Sequence, residues 1–233
     1  MKRSKSRDYV VLLHGLGRTR LSMTIPQLRL KSAGFDVINI QYRSRSKPIE
    51  QLAEAVHAEL GRKIEDPSRR VHFLTHSLGG IVARALLARQ EFHANLGYVV
   101  MLAPPNQGSQ LADRLGNSQL FRAATGPAGQ QLRAGPDSVT ARLGPVDYLV
   151  GVIAGNKVIN PLSRLLNSEG DGKVTLEEAR LEGMADFLTV PRGHTFIMND
   201  QRVLDQAIHF FRNGKFAGAE SEATGSRRLA PDT

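Results

Sequence analysis

The chain has 233 residues, enough for one large domain or two small ones, with a core that needs no covalent staples. Cysteine is absent, which excludes disulfides, thiolate catalysis and Cys-based zinc sites in one step. A formal charge of +9 invites a nucleic-acid reading, but the basic residues are mostly scattered, with no zinc-finger spacing and no aromatic–glycine RNA signature.

In chain order, Met1-Lys2-Arg3-Ser4-Lys5-Ser6-Arg7 predicts a short exposed basic tail over residues 1–7. The apolar stretch behind it, Tyr9 to Leu13, is shorter than the roughly 7–15 residues of a secretory h-region. No apolar run approaches the ~20 residues of a membrane span. A cytoplasmic protein is therefore the expectation. Tyr9 to Leu13 is continuous and rich in β-branched residues, as in a strand covered on both faces. Leu21 to Ala33 predicts a helix ended by Gly34, and Asp36 to Ile40 a second strand. After a second basic cluster, Arg43 to Lys47, the residues Ile49, Leu52, Ala53, Val56 and Leu60 repeat at helical spacing, with Gly61 as the stop. Val71 to Leu74 is the third strand, Ile81 to Arg89 a helix, and Leu96 to Leu102 the fourth strand. Tyr148 to Ala154 and Phe187 to Val190 give the last two strands, and a helix over Gln201 to Phe211 closes the domain.

Strands separated by helices predict an α/β fold, a doubly wound and mostly parallel sheet, over residues 8–216. Residues 103–146 break the rhythm. They are rich in Gly, Pro and Gln, with short helical pieces near Leu111–Leu115 and Leu120–Ala124. A structureless loop of that length is unusual in a compact domain. The segment reads as an insertion over the C-terminal edge of the sheet, where open α/β folds bind ligands. Residues 217–233 are too polar to offset their ordering entropy and predict a disordered tail.

The chemistry concentrates in the turns. Thr75-His76-Ser77-Leu78-Gly79-Gly80 lies between the third strand and the next helix. A serine there projects from a sharp strand-to-helix turn whose neighbours must be small. The positive end of the following helix favours developing negative charge. A helix N-cap explains Ser77 but not the two glycines. After the first strand comes His14-Gly15-Leu16-Gly17. Acyl transfer needs backbone N–H groups aimed at an oxyanion, and glycines let a loop approach the substrate. The candidate donors are the Leu16 and Leu78 amides, with His14, Gly15, Gly17 and Gly79 as supporting loop residues.

Gly170-Asp171-Gly172-Lys173-Val174 follows the fifth strand and Gly193-His194-Thr195 the sixth. The chain order Ser77, Asp171, His194 is that of the α/β-hydrolases. His194 would accept the Ser77 proton, and Asp171 would hold the imidazole in the productive tautomer. A plain Asp-Gly turn also explains Asp171, and a solvated loop residue also explains His194. The rival acids Asp147 and Asp186 fall at strand starts, the wrong edge of the sheet. His57, His72, His76, His93 and His209 lie on helices, inside strands or beside the turn, and receive no catalytic role.

Together with Ala103-Pro104-Pro105-Asn106-Gln107-Gly108-Ser109, these strings resemble the small bacterial lipase and esterase branch of the α/β-hydrolase superfamily, over residues 8 to about 213. The resemblance implies a sheet that begins at the family's third strand, without the first hairpin of larger members. Thr75 stands where that family usually has Gly, so a β-branched residue must find room beside the helix.

The expected function is hydrolysis of a small-molecule ester or lipid through an acyl-enzyme on Ser77, with no metal site and no organic cofactor required. Leu111, Leu115, Leu120 and Phe121 are the candidate acyl-pocket lining. No nucleic-acid partner is expected, and the charge is compatible with weak contact to anionic membrane surfaces. An acyltransferase or thioesterase would use the same three residues, and a non-catalytic scaffold is the reading from another class. The sequence is silent on oligomeric state.

Overall fold

The computed structural model describes residues 7–89, 95–135, 138–158 and 169–218. The tails predicted over residues 1–7 and 217–233 lie almost wholly outside the described residues. Six strands, β1 (Tyr9–Leu13), β2 (Asp36–Ile40), β3 (Val71–His76), β4 (Leu96–Leu102), β5 (Val150–Gly155) and β6 (Asp186–Val190), form one sheet. Its order is β2-β1-β3-β4-β5-β6, and every pairing is parallel. The chain winds outward from β1 to β2, then returns past β1 to β3. The order therefore reverses between β1 and β3, the place where open parallel sheets leave a crevice at their C-terminal edge.

Every residue of β1, β3 and β5 is buried, which is why β1 and β5 read as continuous apolar runs and not as alternations, whereas β3 also buries His72, Thr75 and His76. The strand residues divide between two cores. Val11, Leu13 and Phe73 pack with α2 (Ile49–Lys63) and α3 (Leu78–Leu87) on one face. Val10, Leu12 and Leu74 pack with α1 (Thr24–Ser32) and α8 (Gln201–Asn213) on the other. Each such side chain contributes about 1.5–3 kcal/mol on leaving water.

Several boundaries differ from expectation; β3 runs on to His76, and β5 spans Val150–Gly155 where Tyr148 to Ala154 is expected. The helix predicted from Leu21 splits into a 3-10 turn, Arg20–Met23, followed by α1. α2 runs through Gly61 to Lys63, because that glycine faces open space and an exposed helical glycine costs only about 1 kcal/mol. α3 starts at Leu78, so Gly79 and Gly80 are helical.

Residues 103–146 carry α4 (Gln110–Leu115), α5 (Gln119–Gln130) and α6 (Val139–Leu143). α5 is broken at Gly126 (φ 66°), ahead of Pro127. Arg84 of α3 ties this segment to the core. Its buried guanidinium donates to the carbonyls of Asn106 (2.8 Å), Thr140 (3.1 Å) and Gly144 (2.7 Å). Asn106 in turn donates to the carbonyl of Ala179, in the short helix α7 (Leu176–Ala179).

Candidate active site

β3 ends at His76 and α3 begins at Leu78, so a single residue must reverse the chain. That residue, Ser77, has φ 53° and ψ −125°. Such a conformation costs an L-residue about 1–3 kcal/mol and persists only where the surroundings over-determine it. Here the Ser77 N–H donates to the Leu102 carbonyl at 2.9 Å, and the Ser77 carbonyl accepts from Gly80 N–H at 2.9 Å. A Cβ on Gly79 would lie 2.5 Å from the Leu13 carbonyl oxygen, so only glycine lets the helix start this close to β1. Thr75 is fully buried. A Cβ on Gly80 would meet Pro104 Cβ at 3.1 Å and Thr75 Oγ1 only at 3.4 Å, so the second glycine relieves Pro104 more than the β-branched residue.

Ser77 occupies the N-cap position of α3, but its side chain makes no cap. The hydroxyl instead donates to His194 Nε2 at 3.0 Å, and His194 Nδ1 donates to Asp171 Oδ2 at 2.7 Å. The other carboxylate oxygen, Oδ1, accepts from the N–H groups of Lys173 (3.0 Å) and Val174 (2.9 Å). The His194 N–H also donates to the Asp171 carbonyl at 3.1 Å. Asp171 and His194 are 3% and 6% exposed, so water competes little for these bonds. Gly155, the last residue of β5, makes the approach possible. A Cβ there would meet the Arg192 carbonyl oxygen at 2.2 Å and Asp171 Cβ at 2.9 Å. Nothing in the sequence singles this glycine out. The rival acid Asp186 sits at the start of β6, where its carboxylate accepts from the N–H groups of Phe187 and Phe216.

The loop after β1 is braced from the β2 side. The buried His14 ring stacks on Tyr42, with centroids 4.2 Å apart and an 8° interplanar angle, and the Tyr42 hydroxyl donates to the His14 carbonyl. Burial lowers the His14 pKa and raises that of Tyr42, so both stay neutral. Gly17 (φ 67°) donates its N–H to Ser44 Oγ at 2.9 Å. A Cβ on Gly15 would lie 3.3 Å from Ser77 Cβ, which places this loop directly against the serine. Leu78 opens α3, so its N–H has no intrahelical partner by position. Among the described residues, neither the Leu16 nor the Leu78 amide donates to another backbone group in a loop or turn.

His76, to which the sequence gives no role, is buried under the site and donates from Nε2 to the His194 carbonyl at 3.0 Å. Desolvation first, then the nearby charges of His194, Arg18 and Lys173, hold its pKa well below the usual histidine value. It is a neutral brace for the loop that carries His194.

A cavity of about 230 Å³ opens beside Ser77 and His194. Its apolar wall comes from Leu16, Leu111, Ala112, Phe121, Leu132 and Val174, and Arg18 and Lys173 also line it. Leu111 and Phe121 thus lie where the sequence suggests, but Leu115 and Leu120 do not line the cavity. Leu115 sits one turn, roughly 6 Å, further along α4 than Leu111. Leu120 is 81% exposed, since it neighbours Phe121 in a helix and adjacent helical residues point about 100° apart. Among the described residues, no group of three or more His, Asp or Glu is placed to hold a metal ion. Nor is any helix long and apolar enough to cross a membrane.

A parallel sheet with a strained serine after β3 and loops from β1, β5 and β6 meeting beside it defines an α/β-hydrolase architecture. Residues 10–211 match the model of the alpha/beta hydrolase family, and the chain belongs to that family. Among solved structures it is similar to the mature form of the lipase BlEst2 from Bacillus licheniformis, with a TM-score of 0.72 and 19% identity over 89% of this chain and 93% of that one. It is also similar to a metagenomic carboxyl esterase, MGS0156 (TM-score 0.65, 18% identity, 82% of this chain and 65% of that one). A third likeness is to the phospholipase PlaB of Legionella pneumophila (TM-score 0.62, 23% identity, 74% and 45%). At these identities the likeness is one of fold. No curated protein sequence matches the chain.

Proposed function

We propose that the protein hydrolyses carboxylic esters through an acyl-enzyme on Ser77, with residues 8–216 as the catalytic unit and 103–146 as its substrate-facing insertion. The observation that carries this reading is the hydrogen-bonded series Asp171–His194–Ser77, ending on a strained turn beside an apolar cavity. His194 Nε2 takes the hydroxyl proton as Oγ attacks the carbonyl carbon, and Asp171 stabilises the imidazolium that results. The Leu16 and Leu78 amides hold the oxyanion. His194 then protonates the departing alcohol, and a water deprotonated by the same nitrogen releases the acid. The similarity in fold to a lipase and a carboxyl esterase supports ester chemistry. A cavity near 230 Å³ is smaller than the ~300–1,000 Å³ of drug-sized ligand sites and favours a short acyl chain.

The test is a panel of p-nitrophenyl esters from acetate to palmitate, assayed with wild type and Ser77→Ala. The expected outcome is best turnover at the short end and a loss of several orders of magnitude in the variant. Equal turnover by the two proteins would refute the reading.

A further inference from the structure

Arg18 and Lys173 share a cavity wall with Ser77 and His194, yet the reaction as written uses neither. Each stands two residues beyond a position assigned above: Arg18 past Leu16 on the loop after β1, Lys173 past Asp171 on the loop after β5. Both are fixed there. The Arg18 N–H donates to the Gly15 carbonyl at 3.2 Å, and its Nη2 donates to the Thr195 carbonyl at 3.3 Å. That bond occupies one of the five N–H donors of a guanidinium. The backbone of Lys173 is pinned by Asp171 Oδ1.

Neither cation is neutralised. Among the described residues, no carboxylate lies within 4.0 Å of either charged group. The nearby acid, Asp171, has both oxygens engaged by His194 and by the loop amides. Lys173 is half-buried, and desolvation followed by the charge of Arg18 pulls its pKa below the usual lysine value, against a smaller opposing pull from Asp171. Two like charges facing one cavity, partly out of water and without an ion-pair partner within 4.0 Å, are an arrangement that a bound anion would relieve.

The cavity lining also differs by element: Leu111, Ala112 and Phe121, from α4 and α5, are apolar and suited to an acyl chain, while the loops after β1 and β5 add Leu16 and Val174 beside the two cations. The cations belong to the loops that secure His194, through Thr195 on one side and Asp171 on the other. His194 is the group that protonates the departing alcohol, and the cation-bearing loops are bonded to its neighbour Thr195 and its partner Asp171, which favours an alcohol portion turned toward the cations. We infer that Arg18 and Lys173 form an anion subsite that selects esters whose alcohol portion carries a phosphate or a carboxylate. This rests on the assignment of Ser77 and His194 made above.

The test compares three butyrate esters of para-substituted phenols, bearing a carboxylate, a phosphate or the neutral methyl carboxylate. The quantity read is kcat/KM for each anionic ester divided by that for the neutral one. In wild type the ratio should exceed about 100, and Arg18→Gln or Lys173→Gln should each lower it by ~10- to 100-fold, the range for losing one charge-assisted hydrogen bond. Preference for the phosphate member would name a phosphorylated alcohol, and preference for the carboxylate member a hydroxy acid. A merely structural role would depress all three esters alike, and an unchanged ratio, or a wild-type ratio near one, overturns the inference. A second measurement needs no turnover: calorimetric titration of phenyl phosphate into Ser77→Ala. Binding that weakens at least tenfold when Lys173→Gln is added supports the subsite, and absence of binding overturns it. If Ser77→Ala still hydrolyses the neutral ester at the wild-type rate, the nucleophile assignment fails independently of this binding result.

Discussion

Replacing Asp171 by Asn changes one atom, and the structure dictates where the change falls. Asp171 Oδ1 accepts from two loop amides, at 3.0 and 2.9 Å, while Oδ2 faces His194 Nδ1 at 2.7 Å. An asparagine must keep its oxygen on the two N–H groups, since the opposite flip would set an NH2 against both and forfeit two bonds of about 1–3 kcal/mol each. The amide nitrogen therefore points at His194, where it can only donate. The imidazole responds by carrying its proton on Nε2, so the Ser77 hydroxyl faces a donor and has no base. Loss of the correct tautomer costs on the order of 10⁴-fold in turnover, or about 5.5 kcal/mol at 1.36 kcal/mol per decade. The assay is kcat on p-nitrophenyl butyrate, with a thermal melt to show that the variant is folded. A kcat within tenfold of wild type in a protein with unchanged Tm would refute the role given to Asp171.

Gly79→Ala would drive a Cβ to 2.5 Å from the Leu13 carbonyl oxygen and 2.9 Å from that of His14, both backbone atoms. A loss of about 1–3 kcal/mol in thermal stability and a fall in kcat are expected as the Leu78 amide shifts; an unaltered protein would contradict the packing. Arg84→Met strands the carbonyls of Asn106, Thr140 and Gly144, and should cost about 3 kcal/mol or more by urea denaturation. A cost under about 1 kcal/mol would show that this arginine does not hold the insertion. His14, His72 and His76 are all buried with lowered pKa values, chiefly through desolvation. The unfolded chain takes up these protons as pH falls through the ordinary value of 6.5, while the folded chain does not. Stability should be full above that value and decline below it, by up to about 1.4 kcal/mol per pH unit per histidine. Denaturant titrations between about pH 7 and 5 that give a flat line would exclude this linkage.

The elements that buried strands dictate were plain in the sequence. Tyr9–Leu13 is covered on both faces, so hydrophobicity alone marks it, while β3 is legible only as Val71 to Leu74 because its last two residues, Thr75 and His76, are polar though buried. Gly79, in the turn after Ser77, was legible too, and backbone carbonyls of Leu13 and His14 stand where its Cβ would go. What composition could not convey is direction. Leu120 and Phe121 are equally apolar, but one turns to solvent and the other to the cavity. Arg84 looks like a surface charge in a helix, and only three converging carbonyls make its burial tolerable. Gly155 and His76 matter through partners some 16 to 118 residues away, Asp171 and His194, which no local pattern announces. Lys173 lies inside the Gly170–Val174 string and Arg18 just past His14–Gly17, yet neither string gives them a role. Their significance arises from sharing one cavity without an ion-pair partner.

The most direct test of the account is covalent. A fluorophosphonate should label the wild-type protein stoichiometrically, with peptide mass spectrometry placing the adduct on Ser77 and Ser77→Ala remaining unlabelled. An adduct on a different serine, or a well-folded wild type that takes up no label, would contradict the claim that this hydroxyl is the nucleophile.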